Sequence, residues 1–66
     1  NMLKIEIKTG GAAFQSDFES ISDGYAAASE CIRILKNIII KLEDGCTDGS
    51  CMDINGNKVG TWKLDL

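Results

Sequence analysis

Apolar residues occupy every second position near the start of the chain. In Met2-Leu3-Lys4-Ile5-Glu6-Ile7-Lys8, Leu3, Ile5 and Ile7 point one way, and Lys4, Glu6 and Lys8 point the other. Side chains alternate across a strand, so this pattern predicts a half-buried strand over 2–8 with one wet face. Gly10 and Gly11 end it, and Phe14 is expected to plug the core beneath the following loop.

The period then changes. Ala28, Cys31, Ile32, Leu35, Ile38, Ile39 and Leu42 recur at spacings of three and four, which predicts a helix over about 24–44 with these residues on its buried stripe. Ser16 with Glu19, and Ser20 with Asp23, have the capping-box spacing and suggest a short turn around 17–20 before the helix proper. Gly45 supplies the left-handed residue that helices favour at their end. At about 100° per residue, Ile34 falls roughly 100° from the centre of the stripe and Ile40 roughly 140° from it. Both are therefore expected outside the core, with Ile40 sharing an outer face with Glu30, Arg33, Asn37 and Lys41.

After a polar loop at 46–49, the remainder reads as a hairpin over 50–65. Asn55-Gly56 is its turn, because a tight two-residue turn needs positive φ at both positions. This register sets Asp53 against Lys58 as a salt pair and Met52 against Val59 in the core. Uninterrupted alternation would then turn Trp62 and Leu64 away from Val59. A face-switching bulge at Gly60 resolves the conflict and lets Trp62 cover the inner face beside Met52 and Ile54. A three-residue loop with its own glycine bulge is the alternative. The order strand, helix, hairpin predicts a single α+β domain over 1–66, β-α-β-β, with one helix packed on a small, mainly antiparallel three-stranded sheet.

Length bounds what such a domain can bury. Sixty-six residues bury only about 60% of their unfolded surface, so the core is thin and a contact with another chain would add much. The net charge is −3 and the sequence pI is about 4.6. The seven basic residues are scattered along the chain, a poor footprint for nucleic acid, whose affinity comes from clustered Lys and Arg. The acidic balance fits a basic surface on a protein partner. No apolar run reaches the roughly 18 residues of a membrane span. No basic-then-apolar leader precedes the first strand, so a cytoplasmic location is expected.

Candidate chemistry is sparse. There is no histidine, which removes the commonest general base and metal ligand. Thr9-Gly10-Gly11 does not match a phosphate-binding loop. Cys46 and Cys51, with four residues between them, lack the further ligands of a zinc site, and with Cys31 they read as free thiols. Asp44, Asp48 and Asp53 lack the dense pattern of a calcium loop. No catalytic residue, cofactor or metal ligand is assigned, and a non-enzymatic binding role is expected.

Four stretches carry a resemblance: Lys4-Ile5-Glu6-Ile7-Lys8-Thr9, Gly11-Ala12-Ala13-Phe14, Arg33-Ile34-Leu35, and Asp53-Ile54-Asn55-Gly56-Asn57-Lys58-Val59-Gly60-Thr61-Trp62. Together they resemble a family of short phage and prophage proteins, with the hairpin as its most specific part. Gly11 stands where that pattern has asparagine. The resemblance implies a mobile-element protein made in the bacterial cytoplasm, and it carries no catalytic residues. By analogy with small acidic phage proteins, the expected function is inhibition of a host defence machine, such as an anti-CRISPR protein. A self-associating phage assembly factor, dimeric through the outer helix face, is the alternative. Expected contacts with a host or phage protein are Ile34, Asn37, Ile40, Asp44, Asp48 and Trp62.

Overall fold

A computed structural model describes residues 1–16 and 22–66 of the chain. The turn expected around 17–20 lies outside the described residues. Met2–Ile7 form strand β1, and Ala12–Phe14 a single 3-10 turn. Helix α1 spans Asp23–Glu43, strand β2 Asp48–Met52 and strand β3 Lys58–Asp65. The strands form one antiparallel sheet in the order β1-β3-β2. The expected β-α-β-β architecture is therefore present, with the last strand in the middle.

Local chemistry sets the helix ends. The Ser22 hydroxyl accepts the Tyr25 N–H at 3.1 Å, satisfying one of the free donors of the first turn. At the other end Gly45 has φ 87°. Its N–H donates to the Leu42 carbonyl at 3.0 Å, and the Cys46 N–H donates to that of Lys41 at 2.9 Å. This paired closure is the Schellman arrangement, and glycine adopts its left-handed residue without strain.

The helix is rotated from its expected setting. Ile34 is 2% exposed and Ile38 4%, and they join Phe14, Cys51 and Trp62 in the buried core. Ile32, Leu35 and Ile39, assigned to the buried stripe, stay exposed. The physical reason is that α1 carries two adjacent apolar rows, Ala27-Cys31-Ile34-Ile38 and Ala28-Ile32-Leu35-Ile39. A hydrophobic average points between them, whereas the 3-10 turn and the sheet cover only the first. Ile34 is thus a core residue rather than an outer contact. Phe14, 1% exposed, is the expected plug.

The hairpin departs from the expected register. Asp53 N–H donates to the Asn57 carbonyl at 2.8 Å and Gly56 N–H to the Asp53 carbonyl at 3.0 Å. Gly56 has φ 83°, and no described residue other than glycine has positive φ. The turn is therefore the three-residue loop with its own glycine bulge, not a two-residue turn. Met52 lies opposite Lys58, and Cys51 lies opposite Gly60. Val59 is thus the extra residue, one before the position expected to switch faces. The anticipated Asp53–Lys58 pair does not form, because Asp53 turns into its own loop.

Beyond the bulge the alternation is regular. Gly60, Trp62 and Leu64 lie opposite Ile7, Ile5 and Leu3 on the helix side of the sheet. Trp62 is 3% exposed there, as expected of an inner-face cover. Its expected neighbours Met52 and Ile54 instead point to solvent. Two glycines make this packing fit. A Cβ at Gly49 would sit 2.7 Å from the Trp62 indole nitrogen, and one at Gly60 would overlap the Glu6 carbonyl oxygen.

Candidate protein-binding surface

Glu30 and Arg33 are one turn apart on α1 and reach out of the helix toward the hairpin. The Glu30 carboxylate is buried, and its Oε1 accepts Arg33 Nη2 at 2.6 Å and Nε at 3.2 Å. The same oxygen accepts the Ile54 N–H at 2.9 Å, while Arg33 Nη2 donates to the Met52 carbonyl at 2.8 Å. The hydrogen bond to Glu30 raises the Arg33 pKa above its usual value, with burial opposing it. A helix ion pair therefore closes two backbone groups of the loop.

Asp53 completes the loop from within. Its Oδ1 accepts the N–H groups of Asn57 at 2.8 Å and Asn55 at 2.9 Å, and its Oδ2 accepts the Asn57 side-chain amide at 3.3 Å. These bonds, led by the Asn57 backbone N–H and aided by nearby Arg33, hold the Asp53 carboxyl below the usual carboxylate range against an opposing burial effect. Among the described residues no buried side-chain polar atom lacks a partner. The cluster is satisfied throughout, which makes a polar network a rigid clamp rather than a weakness.

The clamp displays apolar side chains. Ile54 at the loop is 68% exposed and Met52 45%. Arg33, Asn37 and Ile40 follow at helical spacings on one row of α1, with Asp44 capping its end, and Arg33 ties that row to the end of β2. Ile40 is 54% exposed, and Asn37, Asp44 and Asp48 are also exposed. Four expected contacts, Asn37, Ile40, Asp44 and Asp48, therefore fall on the β2 side of the molecule with Met52 and Ile54. Ile34 and Trp62 do not join them, since both side chains lie in the core.

Met52 and Ile54 were missed as surface residues because the two-residue turn placed them inside. The readable signal was Asp53 with Asn55 and Asn57: short polar side chains at these spacings bond their own backbone and lengthen a turn. Glu30, expected with Arg33 on the outer face of the helix, is instead buried against the loop, where its carboxylate bonds Arg33 and the Ile54 N–H.

The three thiols are free, with Cys46 exposed and Cys51 buried, and burial pushes the Cys51 thiol pKa up. Among the described residues, no group of three or more metal-ligating side chains is gathered. No described helix is long and apolar enough to cross a membrane. Comparisons with protein-family models, curated proteins and solved structures give no match.

Proposed function

We propose that this chain is a non-enzymatic protein-binding domain of a mobile genetic element, and that the clamped hairpin with the adjoining helix row is its recognition surface. The observation that carries this reading is the Glu30–Arg33 clamp. It holds exposed Met52 and Ile54 in one arrangement, so that binding need not pay to order the loop. Apolar anchors ringed by polar groups are the usual make-up of an interface centre.

The acidic Asp44 and Asp48 at one end of this surface favour a partner with basic side chains. The resemblance to phage and prophage proteins supplies the setting, the bacterial host cytoplasm. By analogy with small acidic phage proteins, the proposed target is a host defence complex such as a CRISPR–Cas effector, whose inhibition would be the biological outcome.

Capture from lysate of a lysogenic host tests this reading. Wild-type protein is expected to retain a specific protein, and the doubly substituted Met52→Glu, Ile54→Glu variant, folded by circular dichroism, is expected to lose it. Equal retention by both would place the recognition surface elsewhere.

A further inference from the structure

The two edges of the sheet differ. β2 is short, contains Gly49 and has a register break between Cys51 and Met52, features that discourage pairing with another strand. β1 has neither proline, glycine nor bulge and alternates apolar with charged residues. Its inner neighbour is β3, and nothing among the described residues pairs with its other side.

The direction of its free groups follows from the ladder. Lys8 N–H donates to the Val59 carbonyl at 2.8 Å. Backbone groups alternate sides along a strand, so Lys4 and Glu6 also turn theirs toward β3, and Leu3, Ile5 and Ile7 turn theirs outward. Three residues therefore offer unpaired N–H and C=O groups along one open edge. Leu3, although on the helix side of the sheet, is still 45% exposed there.

This edge matches itself. Set antiparallel about Ile5, two copies place Ile5 opposite Ile5 and Leu3 opposite Ile7, all with backbone groups facing the partner. The same register places Lys4 opposite Glu6 twice, at the positions where cross-strand side chains approach most closely. Lys4 and Glu6 point away from the helix, with side chains 69% and 68% exposed, and already lie 3.4 Å apart within one strand.

The helix adds a second layer on the same side. Arg33 and Glu30 mark the flank of α1 toward β2. Ile32, Leu35 and Ile39 lie roughly 150° around the helix from them, on the flank away from β2. They are 51%, 39% and 54% exposed.

We propose that two copies of this chain join through β1 into a continuous six-stranded antiparallel sheet, with the Ile32-Leu35-Ile39 rows of both helices covered on one face. The surface is distinct from the clamped hairpin, which stays free on the outer β2 side of each copy. A dimer would therefore present two such hairpins.

Charge reversal with complementation tests this. In sedimentation equilibrium over a range of concentrations, the wild-type chain is expected to dimerise. Lys4→Glu and Glu6→Lys, each placing like charges opposite one another twice, are each expected to weaken the dimer roughly ten- to a hundredfold. An equimolar mixture of the two variants restores both opposite-charge pairs and is expected to form the mixed dimer. Both positions are exposed in one copy, so neither change threatens folding. A wild-type monomer at every concentration overturns the proposal, as does a dimer indifferent to both reversals or a mixture that fails to associate. Hairpin-dependent capture is read separately, with Lys4→Glu protein, so loss of one result leaves the other standing.

Discussion

The buried carboxylate of Glu30 accepts the backbone N–H of Ile54 at 2.9 Å across 24 residues of sequence. One side chain of the helix thereby fixes the hairpin that follows it, and Arg33 balances the charge at 2.6 Å. Removing the acid would leave an unpaired N–H and an uncompensated guanidinium.

Glu30→Ala is expected to lower stability by about 2–3 kcal/mol, the scale of a charged hydrogen bond lost at a buried site. Lys36→Ala, on the exposed surface, should stay within about 0.5 kcal/mol of wild type. Urea unfolding midpoints compared at a common slope measure both.

The rotation of α1 has its own signature. Ile34→Ala should cost about 2–5 kcal/mol as a core truncation, whereas Ile39→Ala and Ile40→Ala should cost little in the monomer. Comparable losses at Ile34 and Ile39 would contradict the observed helix setting.

Asp53 predicts an acid limb. Its carboxyl pKa is held below the usual range by hydrogen bonds, first that of Asn57 N–H. A lowered folded-state pKa contributes stability above the unfolded value, about 3.9, and that contribution disappears as pH falls through the folded value. Unfolding midpoints taken downward from pH 5 should fall for wild type, and Asp53→Asn should show a flatter dependence from a lower starting stability.

Thiol labelling should follow burial. Cys46 is expected to react first with a maleimide, and Cys51, buried and with its thiol pKa raised, only as fast as the fold opens. Mass spectrometry of partly labelled protein gives the order, and early modification of Cys51 would contradict its placement.

Gly60→Ala places a methyl group against the Glu6 carbonyl. Forcing β1 from β3 should cost about 1–3 kcal/mol. Gly10→Ala, where a Cβ meets nothing within 4 Å, should be nearly neutral, and thermal unfolding separates them.

Much of the fold was readable in local pattern. Strand β1 followed from strict alternation, and the helix end followed from Gly45, because each depends on near neighbours alone. The helix phase did not, since two apolar rows compete and only packing against the 3-10 turn and the sheet decides between them. The hairpin was recognisable from Asn55-Gly56, yet its register turned on Asp53, whose carboxylate bonds the loop instead of Lys58. The clamp was the least legible feature. Its energy comes from Glu30 meeting a backbone N–H 24 positions away, which no spacing along the helix announces.

The strand order has a consequence for synthesis. β3 lies between β1 and β2, so neither outer strand has a partner until residues 58–65 leave the ribosome. Of the regular elements, only α1 can form earlier from its own hydrogen bonds. Chain growth at about 5–20 residues per second then leaves β1, with its apolar alternation, unpaired for several seconds. The sheet closes in one late event, and a nascent chain stopped short of β3 would have a helix but no sheet.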